Sequence, residues 1–192
     1  MPDLEKALKT LSRPGTVLLV PTETVYGLVC DWSDPSARDR IYTMKHRSEN
    51  KPLAAFLPSA ACAETLCGRP LPDAARRLAE ALMPGPVTLI VPDRNNSTFG
   101  FRIPDHPLIL ALLAAYGKPL ASTSANRSGE PAALNVPDAC ANLAEQPDCI
   151  LDEGPLPGNS RASTVILVAA DNSWKILREG PVSEEEIRRI LS

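Results

Sequence analysis

The chain has 192 residues, of which 44% are apolar, 22% charged and 4% aromatic, a balance typical of a soluble globular protein that excludes a disordered or fibrous chain. Chains of this length bury roughly 70% of their unfolded surface, so we expect one domain over residues 1–192. Twenty Lys and Arg against twenty-three Asp and Glu give a net charge of −3, which excludes a broad positive field for nucleic acid or anionic lipid. Any polyanion site must therefore be local.

The cysteines, the histidines and the N-terminus support three further expectations. Five cysteines without a C-x-x-C pair and only two histidines argue against a zinc site, and no metal ligands are predicted. The N-terminus lacks the basic-then-apolar pattern of a signal peptide, and the longest apolar run, Leu108 to Tyr116, is too short to span a bilayer. We therefore expect a cytoplasmic protein with reduced thiols and no membrane segment.

Helical and extended patterns alternate along the chain. Leucines at helical spacing, as at Leu4, Leu8 and Leu11, predict helices, whereas β-branched runs such as 16–20 predict buried strands. In chain order the predicted elements are a helix at 4–11, a strand at 16–20, a helix at 34–45, a strand at 53–57, helices at 59–68 and 72–82, strands at 87–91 and 99–103, a helix at 108–116, strands at 120–121, 149–151, 164–169 and 174–177, and a last helix from 183. This alternation predicts an α/β layered sheet, and two hairpin-length spacings, 91–99 and 168–174, favour a mixed sheet over a parallel one.

Four polar segments interrupt this scaffold at strand or helix ends, where α/β proteins usually build sites. The first, Pro21 to Leu28, places hydroxyls and one carboxylate directly after a buried strand, although an ordinary turn explains it equally well. The second, Lys45 to Pro52, holds four potential cations in seven positions, namely Lys45, His46, Arg47 and Lys51. This density suits a phosphate chain, and the alternative is an exposed charged turn.

The third segment, Ser97 to Pro107, contains an arginine inside a predicted strand. Arg102 shares a strand face with Gly100, which suggests a carboxylate or phosphate ligand close to the backbone. A structural ion pair with Asp105 or another acid is the equal alternative. His106 is expected to be an exposed residue at the start of a helix.

The fourth segment, Ala121 to Gly129, runs from a buried strand into small hydrogen-bonding residues. Such residues let backbone N–H groups and hydroxyls close around an anion, which favours a site over a plain linker. Neither G-x-x-x-x-G-K-[ST] nor G-x-G-x-x-G is present, so a nucleotide would have to be held without those loops.

Taken together, these segments resemble the YrdC-like family, whose best understood members are threonylcarbamoyl-AMP synthases acting in tRNA modification. The matching motifs are PTETVYGL at 21–28, KHRSENKPL at 45–53, PGPVTLIV at 84–91, FRIPDHP at 101–107 and STSANRSGEP at 122–131, with weaker matches at 163–165 and 176–180. The resemblance spans nearly the whole chain and implies a twisted mixed β-sheet flanked by helices, with an open cleft. Phe56 and Ala132 depart from a histidine and a serine that are commoner in the family, and both departures weaken polar contacts.

The resemblance also implies an activity and a set of site residues. The activity is a nucleotidyltransferase that joins L-threonine, bicarbonate and ATP, with Mg²⁺, into threonylcarbamoyl-AMP and pyrophosphate, and partner proteins then move the product to tRNA. The implied phosphate-facing residues are Lys45, Arg47 and Lys51, the first two of them catalytic. The rest of the implied ATP site is Thr98, Ser124, Asn126 and Arg178. The implied threonine-binding residues are Thr24, Arg102, Ser122 and Ser163. A carbamate attacking the α-phosphate needs no covalent nucleophile, which fits a site poor in His and Cys.

Two other interpretations stay open at the level of the sequence. The first is an RNA-binding module of the same fold, with possible tRNA contact. The net charge of −3 and only two Trp, three Tyr and three Phe weaken it, while the cations of Lys45 to Lys51 favour it. The second is a related carbamoyl-adenylate enzyme that does not use threonine.

Overall fold

The computed structural model describes residues 3–48, 51–95 and 97–192. The helices of these residues are α1 (Leu4–Leu11), α2 (Pro35–Lys45), α3 (Ala60–Cys67), α4 (Asp73–Leu82), α5 (Pro107–Tyr116), α6 (Val136–Ala141) and α7 (Glu184–Leu191). The strands are β1 (Leu18–Val20), β2 (Gly27–Asp31), β3 (Ala54–Phe56), β4 (Val87–Pro92), β5 (Thr98–Arg102), β6 (Leu120–Ser124), β7 (Cys149–Ile150), β8 (Thr164–Val168) and β9 (Trp174–Arg178). Each element predicted from the sequence is present, with bounds that shift by a few residues.

The strands of the described residues form one nine-stranded sheet in the order β7-β1-β2-β6-β3-β5-β4-β8-β9. The pairs β1/β7, β3/β5 and β4/β8 are parallel, and the remaining neighbours are antiparallel. The hairpins β4–β5 and β8–β9 lie at the two spacings that favoured antiparallel pairing. The predicted mixed sheet flanked by helices is therefore confirmed.

Two elements were not predicted from the sequence. The first is β2, a central strand between β1 and β6 in which Gly27 to Cys30 are all buried. Its apolar run is three residues long and follows a turn-rich segment, so the local pattern is too short to indicate a strand, and cross-strand pairing forms it. The second is α6, one and a half turns long, which begins where the Asn135 side chain accepts a hydrogen bond from Asp138 N at 2.8 Å.

Helices cover the two faces of the sheet unequally. On one face, buried residues of β4, β5 and β8, such as Leu89, Phe101 and Ile166, share a core with residues of α3, α4 and α7. On the other face, α1 and α5 pack over β1 and β2, whereas Ile90 of β4 and Val165 of β8 are partly exposed. The polar segments border the uncovered half of this second face, which is called the cleft from here on.

The start of α5 corrects one expectation about a single residue. His106 precedes Pro107 at the start of this helix, as predicted, but its side chain is only 13% exposed and its Nε2 lies 3.3 Å from Glu153 Oε2. Its side chain is therefore largely buried and contacts a distant loop, and the prediction of exposure was wrong. In the part of the chain that the structure describes, no helix combines the length and the apolar character that crossing a membrane requires.

Candidate active site

Arg102, the last residue of β5, is almost completely buried and its guanidinium is held on three sides. Nε donates to Gly85 O at 3.1 Å, Nη1 donates to Thr24 Oγ1 at 3.0 Å, and Nη2 lies 2.6 Å from Glu23 Oε1. Burial lowers the pKa of Arg102, and the negative charge of Glu23 opposes that change. The ion-pair interpretation is thus correct, with Glu23 as the acid in place of Asp105, whose backbone N donates to the same Glu23 oxygen at 2.9 Å.

The pairing with Glu23 leaves part of the guanidinium unused. Nη2 of Arg102 is buried and makes no aligned hydrogen bond within the described residues, although Glu23 Oε1 is close to it. A buried donor without an aligned acceptor is costly, so this atom has capacity for an anionic ligand. The ion pair and the ligand interpretation of Arg102 are therefore compatible.

Gly85, in the PGPVTLIV motif, supplies one of the backbone contacts that hold the Arg102 side chain. Its N donates to Ile103 O at 2.9 Å and its carbonyl accepts from Arg102 Nε. A Cβ at this position would run into the carbonyl oxygen of Leu82, so the close approach of the two backbones requires glycine. The motif thus positions a side chain that is distant in sequence.

The hydroxyls after β1 have a fixed direction. Thr22 Oγ1 donates its hydrogen to Val25 O at 2.7 Å and lies 2.9 Å from Thr24 Oγ1. Since the Thr22 hydrogen is already used, the Thr24 hydroxyl donates to Thr22 and accepts from Arg102. Thr24 therefore offers a ligand only acceptor capacity.

Ser122 of β6, like Thr24, has a hydroxyl hydrogen that is already donated within the protein. Its side chain is buried, and Oγ donates to Ala54 O at 3.1 Å, so that toward a ligand it too can only accept. Thr98 lies at the other end of β5, exposed on the face that carries Arg102. Four residues at about 3.3 Å each place the two residues about 13 Å apart, a separation suited to the two ends of an extended ligand.

Lys45, the last residue of α2, is 1% exposed and points away from solvent. Its Nζ donates to Asn126 O at 2.6 Å, to Asn126 Oδ1 at 3.3 Å and to Ser124 O. Burial lowers the pKa of Lys45 to about 7, and the positive charge of Arg47 adds to that change. The structure thus gives Lys45 loop oxygens as partners where the resemblance implies phosphates, and its catalytic role stays a prediction.

Asn126 is likewise committed to the fold of its own loop. Its Nδ2 donates to Arg127 O at 2.8 Å and to Glu130 O at 2.7 Å, while Oδ1 accepts from Lys45. Its side chain is buried, whereas Ser124 beside it is partly exposed. Of these two predicted ATP-binding residues, Ser124 has the more accessible side chain.

Arg47 and Lys51 belong to a loop that folds back on itself. Arg47 Nε donates to Lys51 O at 2.8 Å and Nη2 donates to Pro52 O at 3.1 Å. Arg47 is half-buried, and this burial lowers its pKa, while Lys51 is exposed. Glu49 and Asn50, which complete the motif here, lie outside the described residues. The loop presents two cations at the border of the cleft.

Arg178, at the end of β9, lies against Ser163. Its Nε and Nη2 donate to Ser163 O at 3.1 and 2.9 Å, and Nη2 also donates to Ser163 Oγ at 3.1 Å. Ser163 Oγ in turn lies 2.8 Å from Oγ1 of Thr88, a residue that was not predicted from the sequence. The alternation of buried and partly exposed residues along β4 places Thr88 on the cleft face, which was the available signal.

Three guanidinium groups converge in this cleft. Burial lowers the pKa of Arg178, and the positive charges of Arg102 and Arg47 lower it further. Within the described residues, Glu23 is paired with Arg102, and neither Arg47 nor Arg178 forms an ion pair with an acid. In a chain of net charge −3, this cluster is a local concentration of positive charge, which is the only kind of polyanion site that the composition allows. The arrangement can bind and stabilise a ligand with several negative charges.

The chain is similar to known proteins in sequence and in fold. A family model named Sua5_yciO_yrdC, described as telomere recombination, matches residues 10–180. The chain is 38% identical over 183 residues to the threonylcarbamoyl-AMP synthase of Mus musculus, a match covering 88% of this chain and 64% of that protein. It is 35% identical over 191 residues to the Bacillus subtilis threonylcarbamoyl-AMP synthase, covering 94% and 54%. The chain therefore spans between half and two thirds of these two relatives.

A third relative has a length closer to that of the chain. The threonylcarbamoyl-AMP synthase of Chromohalobacter salexigens is 39% identical over 163 residues, which cover 80% of this chain and 86% of that protein.

Two solved structures share the fold. The crystal structure of P. abyssi Sua5 complexed with L-threonine matches 98% of this chain and 57% of its own, with a TM-score of 0.88 and 30% identity. That of E. coli YciO matches 97% and 96%, with a TM-score of 0.80 and 25% identity. The motifs, the sheet and the family match over residues 10–180 lead to one conclusion: the chain belongs to the Sua5/YciO/YrdC family.

Proposed function

We propose that this chain is an L-threonylcarbamoyladenylate synthase, a nucleotidyltransferase that converts L-threonine, bicarbonate and ATP into threonylcarbamoyl-AMP and pyrophosphate. The observation that carries the proposal is the convergence of Arg47, Arg102 and Arg178 beside a cluster of buried hydroxyls. Relatives named threonylcarbamoyl-AMP synthase and the complex of P. abyssi Sua5 with L-threonine support the same assignment.

The amino-acid end of the site is Arg102 with its surrounding hydroxyls. We assign the threonine carboxylate to Arg102, whose Nη2 has no aligned acceptor within the described residues. Thr24 and Ser122 have donated their hydrogens to other groups, so they suit the ammonium and hydroxyl hydrogens of an amino acid. Ser163, held by Arg178, completes this end.

The nucleotide end holds the triphosphate. We assign its oxygens to Arg47, Lys51 and Arg178, with Thr98 and Ser124 completing the nucleotide contacts, and we keep Lys45 and Asn126 in this site through the loop that they hold. Mg²⁺ is treated as part of the ATP substrate, bound to the triphosphate oxygens. Arginine suits this task because its planar fork matches phosphate oxygens.

The reaction needs charge stabilisation and alignment. The threonine ammonium and bicarbonate condense to a carbamate with release of water and one proton. A carbamate oxygen then forms a bond to the α-phosphorus as the bond from that phosphorus to the bridging oxygen breaks, and pyrophosphate leaves. Convergent guanidiniums stabilise the negative charge that builds on the leaving group, so positioning and electrostatics supply the rate without a covalent nucleophile.

The product's later path is part of the same proposal. Threonylcarbamoyl-AMP is an activated acyl group that must be consumed by an acceptor, and we assign this step to tRNA-modification proteins in the cytoplasm. Direct tRNA contact by this chain would use the exposed part of the loop that holds Arg47 and Lys51.

The test is pyrophosphate release from ATP, with threonine and bicarbonate each omitted in turn. We expect release only in the complete mixture. Release without threonine would identify a different carbamoyl-adenylate enzyme, and no release under any condition, together with RNA binding, would favour the RNA-binding module. A matched pair of variants locates the activity: Arg178→Met should abolish release, whereas Arg188→Met, a surface arginine paired with Glu184, should not change it.

A further inference from the structure

Lys45 is among the largest fully buried side chains of the described residues, although it is a cation. Lysine is almost never buried without partners, because removing an ammonium from water is costly. It lies on the inner side of α2 together with Ala37, Ile41 and Met44, at the spacing of an apolar stripe. A cation at an apolar position indicates that its partners are required there.

The hydrogens of the ammonium are all used. An ammonium has three hydrogens, and three oxygens surround Nζ: Ser124 O, Asn126 O and Asn126 Oδ1. Because burial lowers the pKa of Lys45 to about 7, its neutral amine is also present near neutral pH, and the same three oxygens take both of its hydrogens. With 1% of its surface exposed, Lys45 therefore has no donor left for a phosphate in either form. Without the ammonium, these three oxygens would face one another in a buried space with no donor between them, which is unfavourable.

The backbone of Lys45 is tied to the same loop. Its carbonyl accepts from Ser128 N at 2.9 Å, and Ala125 N donates at 2.7 Å to the carbonyl of Tyr26, the residue before β2. His46 follows in the left-handed conformation with φ 47, so that the chain turns and Arg47 comes next. Lys45 therefore joins the segment after β6 to the segment that carries Arg47.

We propose that Lys45 is a positioning residue that fixes the segment 124–130 against the end of α2, and that it does not contact phosphate. Through this contact, Ser124 and Arg47 are presented to the same ligand from two segments distant in sequence. The role deepens the proposed function, because it rests on the proposed nucleotide site, but the loop contact itself exists without nucleotide.

The first test uses the nucleotide-free protein, so it does not depend on activity. In Lys45→Met, amide hydrogen exchange at Ala125, Asn126 and Ser128 should accelerate at least about tenfold, because the loop loses its anchor. In the control Arg47→Met, exchange at these amides should stay within about twofold of wild type. Unchanged exchange in folded Lys45→Met would overturn the proposal.

The second test compares ATP with AMP as ligands in direct binding measurements. A residue that positions the whole loop affects the binding of both nucleotides. Lys45→Met should therefore weaken the binding of ATP and of AMP by the same factor, within about threefold. A residue that contacts the β- or γ-phosphate affects the binding of ATP alone, so Arg47→Met should weaken ATP binding about tenfold more than AMP binding. If Lys45→Met weakened the binding of ATP alone, the positioning role would be overturned.

Wild-type protein supplies a third test that applies even if Lys45→Met does not fold. Under limited acetylation with an N-hydroxysuccinimide ester, exposed Lys51 should be modified in the nucleotide-free protein and protected by ATP. Lys45 should remain unmodified in both states. Modification of Lys45 in the nucleotide-free protein would contradict the proposal. Failure of wild-type protein to bind ATP would instead leave Lys51 unprotected, which refutes the proposed function and not the loop contact.

Discussion

Glu23 Oε1 lies 2.6 Å from Arg102 Nη2, and the same oxygen accepts from Asp105 N at 2.9 Å. Glu23 therefore joins the loop after β1 to the loop after β5 across the guanidinium. It also neutralises one of the three convergent arginines while Nη2 is left without an aligned hydrogen bond. The pair positions Arg102 and leaves it able to donate to a second carboxylate.

This geometry predicts the effect of Arg102→Lys. A lysine retains the charge but cannot contact Gly85, Thr24 and a ligand carboxylate at once, since a point charge does not reproduce a planar fork. We expect the KM for threonine to rise about tenfold or more, with a smaller change in the KM for ATP. Steady-state pyrophosphate release with each substrate varied measures both values. If the KM for ATP rises more, Arg102 belongs to the phosphate site.

Arg47→Ala separates binding from stability. Arg47 donates to two carbonyls of its own loop, so its removal should cost only about 1 kcal/mol of unfolding free energy. Loss of a charge-assisted phosphate contact should lower ATP turnover about ten- to a hundredfold. Urea unfolding and pyrophosphate release measure the two effects, with exposed Arg13→Ala as the control. Unchanged pyrophosphate release by folded Arg47→Ala would show that this loop is a solvated turn that does not bind ATP.

Gly85→Ala tests the backbone contact that holds the Arg102 side chain. The added Cβ meets the Leu82 carbonyl, so the backbone must shift, at a cost of about 1–3 kcal/mol in unfolding free energy, and the KM for threonine should rise. Gly158→Ala is the matched control, because a Cβ there has nothing within 4 Å and both stability and KM should stay unchanged. Wild-type values for Gly85→Ala would show that Arg102 does not depend on this backbone contact.

Local patterns were sufficient for most of the fold but not for the partners in the site. Of the elements in the described residues, periodicity and capping located all except the short helix α6 and the strand β2, and the short apolar run of β2 is defined by its neighbours. The acid beside Arg102 could not be chosen from the sequence, because Glu23 is distant along the chain whereas Asp105 is adjacent to the same loop.

The direction of Lys45 was, in contrast, readable from the sequence. It follows Ile41 by four residues on the inner stripe of α2, which indicates burial, while Arg47 beyond the helix end carries no such signal. The density of cations in this segment favours a phosphate site for all of them, whereas the helical spacing favours burial of Lys45. Charge density locates a candidate site, but helical phase decides which of its cations point into it.

The Asp31 carboxylate is expected to make the stability of the protein depend on pH in the acid range. Burial raises the pKa of Asp31, but hydrogen bonds from Ser33 and Tyr116, aided by Lys118, outweigh this and lower it to about 2. A carboxyl whose pKa is lower in the folded state contributes stability that is fully present above about pH 4 and is lost as the pH falls to about 2.

Asp31→Asn should therefore destabilise the protein by at most about 2 kcal/mol at pH 7, and the difference from wild type should shrink between pH 4 and pH 2. Urea unfolding across this range measures it, with exposed Asp39→Asn as the control. A difference that stays constant down to pH 2 would mean that the lost hydrogen bonds are not linked to ionisation.

The last prediction concerns selection of the amino acid. Phe56 pairs with Arg102 in register, and the Arg102 Cζ lies 5.8 Å from the centre of the Phe56 ring, so an apolar surface borders the proposed carboxylate site. Thr24 and Ser122 can accept a hydrogen from a ligand hydroxyl, and a site that binds a hydroxyl strongly rejects analogues without one. Contact between the threonine methyl and Phe56 should favour threonine over serine by about 1–2 kcal/mol, roughly tenfold.

We therefore expect threonine to bind best, serine about tenfold more weakly, and valine not measurably, in competition binding with a non-hydrolysable ATP analogue and Mg²⁺. Valine binding equal to that of threonine would show that the hydroxyl is not recognised, and it would remove these side chains from the basis of the threonine assignment.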